Sequence, residues 1–414
     1  MWERGGVELD RVVVVGASLA GLRAAETLRA DGFEGEVVVV GAEAHRPYDR
    51  PPLSKKLLAG EWEPERIALR QPGASDELDV EWRLGSEATS LDPARRELTL
   101  ADGSTLGFDG CVIATGATCR RLPDQGRHDH VHELRTLDDA LALRDELAAG
   151  DRHVVVIGAG FIGLEVAATA RERGNEVTVL EGAPAPLVRG LGAEMGRMVG
   201  EAHRARGVDV RCDVDVERLD ERGVVLAGGE LIESDVVVVG IGVVPATGWL
   251  EGSGLELRDG VVCDETLRAR AEDGSPVEGV YAAGDVLRWP NPLFGEEMRV
   301  EHWTNAAEQG AMAARNLLAE ARGEPGEAYA PVPFFWSDQF DHRLQFLGRS
   351  SPDDEVYVAL GSAEEGKLLA LYRSGDRLHG AFGWNAPRWV MKMRGQLTER
   401  ATWADALAHA ATLA

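Results

Sequence analysis

The sequence predicts an α/β protein: two copies of a strand–turn–helix–strand unit, followed by a smaller α+β domain. Three observations predict it. "VVVVGASLAGLRAAETLRADG" at residues 12–32 returns as "VVVIGAGFIGLEVAATARERG" at 154–174, glycine upon glycine at an offset of 142 residues. Each copy is followed by a second apolar run, "EVVVVGAE" (36–43) and "EVTVLEG" (176–182). Beyond residue 333 the pattern changes to strand-like runs such as "EVYVAL" and "KLLALYR" before a helical tail.

Each copy opens with a β-branched run, the pattern of a strand buried on both faces in a parallel sheet. A glycine-rich turn follows, then a helix-period segment closed by Gly32 or Gly174. In such a turn the glycines let the backbone approach a pyrophosphate, and the helix N-terminus offers free N–H groups with a partial positive charge. An acidic residue ending the next strand receives the ribose hydroxyls of the adenosine. The second copy is complete, with Gly158, Gly160, Gly163 and then Glu181. The first has Gly16, Ser18, Gly21 and then Glu43. Ser18 stands where the middle glycine should be, so its Cβ presses on the phosphate path or its hydroxyl adds a donor. Glu181 selects against a 2′-phosphate, and the following "LEGAPAPLVRG" brings no basic residue at once, so NADH is expected over NADPH.

The later chain adds three more strands. "CVIATGATCRRLP" (111–123) ends in Thr115 and Gly116, "DVVVVGIGVVPAT" (235–247) is of the same kind, and "GVYAAGDV" (279–286) ends in Gly284 and Asp285. "RVEHWTNAAEQGAMAARNLL" (299–318) reads as a helix, and "ARGEPGEAYAPVP" (321–333) as a linker.

A length of 414 residues suits two or three domains. The formal charge of −26 argues against nucleic acid, which needs a basic face. No apolar run approaches the roughly 18 residues that span a bilayer. The charged start "MWERGGVELD" is not a signal peptide, so a soluble cytoplasmic protein is expected. Cys111, Cys119, Cys212 and Cys263 form no CxxC and no metal cluster, and Cys111 reads as a buried thiol. No metal site and no disulfide framework are expected.

The paired fingerprints, "PYDRPPLSK", "IATGA", "GVYAAGD", "EHWTNA" and "FFWSDQ" together resemble the FAD-dependent, NADH-dependent ferredoxin reductases of bacterial oxygenase systems. The double fingerprint alone is shared with glutathione-reductase-like and apoptosis-inducing-factor-like proteins; the PPLSK and FFWSDQ stretches narrow the match. The resemblance implies two interleaved Rossmann-like dinucleotide-binding domains of glutathione-reductase-like type. The FAD domain would take residues 1–112 and 240–325, the NAD domain 113–239, and the C-terminal domain 326–414.

The resemblance also assigns residues. Lys55 reads alone as a solvated lysine at a helix start; the resemblance makes it a cation beside the flavin, on a loop stiffened by Pro51 and Pro52. Glu165 reads as a carboxylate in the first turn of the NAD helix, complementing its dipole. The resemblance pairs it with Lys55 and faces it to the nicotinamide. Trp336 reads as core, or by resemblance as a stacking partner near flavin or nicotinamide. Asp285 reads as a turn aspartate, or as a partner of the flavin ribitol. Backbone N–H groups around Trp303 would stabilise negative charge on the reduced ring. Ala20, Arg50, Ala88 and Arg135 complete the FAD set, Arg135 at the phosphates. Phe161, Ile162 and Gly242 complete the NAD set.

The implied activity is hydride transfer from NADH to FAD, then release of single electrons to a separate [2Fe–2S] ferredoxin that serves a monooxygenase or dioxygenase. No cysteine lies in residues 46–58, so no electron path through a thiol pair exists there. That absence weighs against the oxidase and disulfide-reductase alternatives; an apoptosis-inducing-factor-like NADH sensor and a rubredoxin reductase remain open. Such ferredoxins are usually acidic too, so a local basic patch is needed, with Arg70, Arg343, Lys392 and Arg394 as candidates. Arg388 and Lys392 have helical spacing and could share a face. The chain is expected to be a monomer or homodimer.

Overall fold

The computed structural model of the chain describes residues 9–70 and 78–413. The chain divides into two compact units. The first comprises Met1–Asp49, Ala68–Thr118 and Val244–Pro333; the second comprises Arg50–Ile67, Cys119–Val243 and Phe334–Ala414.

In the first unit the opening valine run forms strand Arg11–Val15, and Val12 to Val15 are at most 2% exposed. It lies inside a six-stranded sheet in the order Arg268–Arg270, Pro276–Ala282, Gly110–Ile113, Arg11–Val15, Glu36–Gly41, Glu81–Leu84. All neighbours are parallel except the antiparallel edge strand Arg268–Arg270. Burial on both faces explains why these strands read as continuous apolar runs. Cys111 sits fully buried in the strand beside it, where burial raises its thiol to about 12. Helices Leu19–Ala30 and Trp303–Ala321 cross closely, because a Cβ on Gly310 would lie 2.2 Å from the carbonyl oxygen of Ala20.

The second unit holds a parallel sheet in the order Asp209–Arg211, Glu176–Leu180, His153–Ile157, Val236–Val239, Val131–His132. Its two faces are both used. Val154 and Val156 join a core that includes Phe346, Tyr372 and Phe382 of the C-terminal segment. Val155 and Ile157 point the other way, toward Leu219 and Val224 of a small three-stranded sheet. The C-terminal segment is a five-stranded antiparallel sheet followed by helices Pro387–Lys392, Arg394–Thr398 and Trp403–Ala411, an α+β arrangement.

Residues 50–67 pack in this second unit. Pro51–Ser54 makes one 3-10 turn. The Thr169 hydroxyl donates to the Ser54 carbonyl at 2.8 Å, Arg173 donates to the Leu58 carbonyl, and Leu58 is fully buried. Among the described residues no helix is long and apolar enough to cross a membrane, and no His, Cys, Asp and Glu cluster could hold a metal ion.

Candidate active site

Both fingerprint turns lie where an open parallel sheet reverses its strand order, the place where such sheets bind ligands. Gly16, at φ +123°, follows strand Arg11–Val15; a Cβ there would sit 2.1 Å from the Ala114 carbonyl oxygen. Gly158, at φ +101°, repeats this against the Gly240 carbonyl at 2.4 Å. A Cβ on Gly21 would lie 1.9 Å from the Gly16 oxygen, and one on Gly163 2.1 Å from the Gly158 oxygen. The first and third glycines are therefore required by the protein's own backbone.

The middle glycine is different. A Cβ on Gly160 would meet nothing within 4 Å, and its φ of −74° suits any residue. Nothing in the described protein demands glycine there, so the open space in front of it fits the pyrophosphate of a bound nucleotide. Beside it Ile162 is 48% exposed, and Phe161 packs edge-on against Phe335 with ring centroids 4.7 Å apart. Ser18 does not cap its helix through its hydroxyl.

The helix ends agree with this. Helices Leu19–Ala30, Phe161–Glu172 and Trp303–Ala321 have no side-chain N-cap and no acid in the first turn. Helix Leu137–Leu147, by contrast, has a Thr136–Asp139 capping box and two aspartates in its first turn. Uncapped, acid-free N-termini leave their N–H groups for an anion. Glu181 accepts from Ala159 N at 2.7 Å and from Ala183 N at 2.8 Å, tying the fingerprint turn to the end of the second strand. Glu43, its counterpart, accepts from the Tyr48 hydroxyl. Gly242, at φ +98°, offers its carbonyl to Arg120 N at 2.9 Å.

The remaining FAD candidates divide between the units. In the first, Thr115 donates to the Ala246 carbonyl at 3.0 Å, and Gly116 turns at φ +69°. Gly284, at φ +82°, packs a would-be Cβ 3.2 Å from that of Ala20, and its N–H donates to Gln309 Oε1 at 2.9 Å. Asp285 follows, half-buried, and Trp303 donates from Nε1 to Asp49 at 2.7 Å. Ala88 opens strand Ala88–Asp92 of a side sheet. In the second unit Arg50 donates to the Arg135 carbonyl, and Arg135 N donates to Asp139 at 3.0 Å. Gln309 and Asp49 escaped the sequence reading. Gln309 is fully buried, and its Nε2 has no partner among the described residues, the kind of donor a bound polar group satisfies. The donors and cradles present fit FAD at the first fingerprint and NAD(H) at the second.

Lys55 and Glu165 meet in the second unit, with Lys55 Nζ 2.7 Å from Glu165 Oε2. Lys55 is not a solvated lysine at a helix start. It follows the Pro51–Ser54 turn, its side chain is 16% exposed, and Nζ also donates to the Pro51 carbonyl at 3.0 Å. Glu165 is not in the first turn either. That turn holds no acid; Glu165 lies one turn further along, on the inward face, 2% exposed, and so does not serve the helix dipole. It also accepts from Ser54 Oγ at 2.5 Å and Ser337 Oγ at 2.6 Å. Neither serine stood out in the sequence, although both lie in the quoted PPLSK and FFWSDQ stretches. Trp336 is half-buried and stacks on Phe334 at 6.1 Å, outside the buried core.

Comparison with known proteins gives the same frame. Residues 10–310 match the family described as pyridine nucleotide-disulphide oxidoreductase, and residues 334–412 match the domain described as reductase C-terminal. The chain is 37% identical over 389 residues to rhodocoxin reductase of Rhodococcus erythropolis, covering 92% of this chain and 88% of that one. It is 36% identical over 379 residues to the ferredoxin–NAD(+) reductase component of the anthranilate 1,2-dioxygenase system of Burkholderia cepacia, covering 87% and 90%. The crystal structure of the covalent putidaredoxin reductase–putidaredoxin complex matches with a TM-score of 0.88 at 32% identity, over 98% of this chain and 99% of that one. The chain therefore belongs to the pyridine nucleotide-disulphide oxidoreductase family, among its ferredoxin–NAD reductases.

Proposed function

We propose that this chain is an NADH-dependent FAD flavoprotein that reduces a [2Fe–2S] ferredoxin feeding an oxygenase. The observation that carries the proposal is the pairing of two nucleotide cradles with an ion pair between half-buried Lys55 and buried Glu165, and no thiol pair, in a chain whose relatives are ferredoxin reductases. When bound, FAD supplies the chemistry that links a two-electron donor to a one-electron acceptor.

The chain's residues hold and polarise. The first fingerprint and the start of the Trp303 helix turn backbone N–H groups and the positive end of a helix dipole toward FAD, and Asp285 accepts from its ribitol. Gly160, Phe161, Ile162 and Gly242 shape the NADH seat, and Glu181 takes the ribose hydroxyls. Lys55, held in place by Glu165, is the cation that stabilises negative charge on the reduced ring. Trp336 provides an aromatic face for stacking. Arg50 and Arg135 bind the FAD phosphates. Arg388 and Lys392, both exposed on helix Pro387–Lys392, carry the charges that meet the ferredoxin. We place the work in the cytoplasm, where NADH is available and four free cysteines are tolerated.

The test is NADH-driven cytochrome c reduction with and without an added [2Fe–2S] ferredoxin. A large ferredoxin-dependent increase is expected. Flavin reduction without ferredoxin dependence, accompanied by peroxide, would move the assignment to an oxidase.

A further inference from the structure

Behind the Lys55–Glu165 pair runs a line of buried polar groups, all within the second unit. Ser337 donates from Oγ to Glu165 Oε1 at 2.6 Å. Gln339 donates from Nε2 to Ser337 Oγ at 3.0 Å, and its Oε1 lies 2.9 Å from His203 Nε2. Ser337, Gln339 and His203 are at most 2% exposed. Strand alternation builds the line, because residues two apart on strand Phe334–Gln339 share a face. Ser337 and Gln339 therefore point one way and Trp336 the other.

The direction of every hydrogen bond is fixed by the carboxylate. Glu165, paired with Lys55, can only accept. Ser337 must therefore give it a proton, which leaves the Ser337 oxygen to accept from the Gln339 amide. The amide oxygen then faces His203, which must donate from Nε2. His203 is a neutral ring protonated at Nε2, and its buried Nδ1 has no partner among the described residues. Burial supports this, pushing the imidazole down to about 4.

We propose that Ser337, Gln339 and His203 are positioning residues that keep every proton of this line pointed at Glu165, and thereby fix the place of Lys55 Nζ. Glu165 then receives donors at both oxygens, from Ser337 at one and from Ser54 and Lys55 at the other. A carboxylate held by donors at both oxygens cannot rotate away from the lysine. The inference rests on the reading of Lys55 as the cation of the flavin reaction.

The experiment uses the full-length, FAD-loaded protein and two readouts: the rate of flavin reduction by saturating NADH, and the flavin midpoint potential. Ser337→Ala removes the donor to Glu165. Gln339→Glu keeps the size but draws the Ser337 proton away from Glu165. Each is expected to slow flavin reduction about tenfold, the loss of one hydrogen bond to a charged group, and to lower the midpoint potential. Ser337→Thr, which restores the hydroxyl, returns both values to those of the unaltered protein. Should Ser337→Ala fail to fold, Gln339→Glu carries the test. Unchanged rate and potential in these variants, with both readouts reduced in Glu165→Gln, would overturn the line and leave the ion pair's role standing. No effect in Glu165→Gln itself would overturn that role and the line with it.

Discussion

Lys55 and Glu165 are unequal partners, and the difference can be measured. Glu165 is 3% exposed in its side chain and Lys55 is 16% exposed. Removing the cation leaves a buried carboxylate whose partners among the described residues are two serine hydroxyls. Removing the carboxylate leaves a lysine that still holds the Pro51 carbonyl and reaches water. Breaking a buried pair costs about 3–5 kcal/mol when the survivor stays buried. Lys55→Met is expected to lose about 3 kcal/mol and Glu165→Gln about 1 kcal/mol, checked by urea unfolding at saturating FAD. The His203 imidazole gives a pH signature. Burial lowers it from 6.5 to about 4, so the unfolded chain binds the extra proton first as pH falls. That stability is complete above pH 6.5 and is lost as pH drops toward 4, worth about 3 kcal/mol for a shift of this size. His203→Gln is expected to flatten that part of the stability–pH curve. None of this was legible in the sequence. A buried histidine looks like any other, and only the fold brings residues 54, 165, 203 and 337 together. Lys55 and Glu165 themselves were reached through resemblance, since their spacing of 110 positions carries no local signal.

The fingerprint turns were the most legible elements, because their requirement is local: strand, glycine, helix, strand. The structure divides the glycines into two kinds that the motif does not distinguish. Gly163→Ala would force a Cβ to within 2.1 Å of a backbone oxygen that cannot step aside. A loss of at least about 3 kcal/mol is expected, seen as a lower melting temperature. Gly160→Ser, which copies Ser18 of the first repeat, meets open space. The melting temperature should stay the same while the dissociation constant for NADH rises about tenfold, read by titration. If both variants destabilise equally, Gly160 is held by packing and the nucleotide reading of its open space fails. Helix boundaries were less legible. The run from 299 was read as helix, yet the helix begins at Trp303, because nothing in "RVEH" marks a start and His302 makes no side-chain cap. The position of Glu165 was misplaced by one turn for a related reason: the motif locates the turn, while the inward face is decided by what packs upon it.

Across the whole molecule the sequence specified how much charge there is and left open where it lies. A net charge of −26 repels an acidic partner at long range, so productive docking needs local cations. The candidates are not equivalent. Arg70 is bound to Glu26 at 2.6 Å, Arg343 lies 3.8 Å from Asp338, and Arg394 lies over the Phe334 ring. Arg388 and Lys392 are exposed four residues apart on helix Pro387–Lys392, with Met391 between them at 43% exposure. An exposed apolar side chain between two cations suits an acidic protein surface better than it suits water. Exposed charge pairs are screened over about 10 Å at 0.1 M salt. If these two cations guide the ferredoxin, its apparent affinity falls as salt rises, and Arg388→Glu with Lys392→Glu raises the KM for ferredoxin several-fold. The rate of flavin reduction by NADH serves as the control and should not move. Turnover that instead speeds up with salt would mean that overall repulsion dominates and that the docking face lies elsewhere.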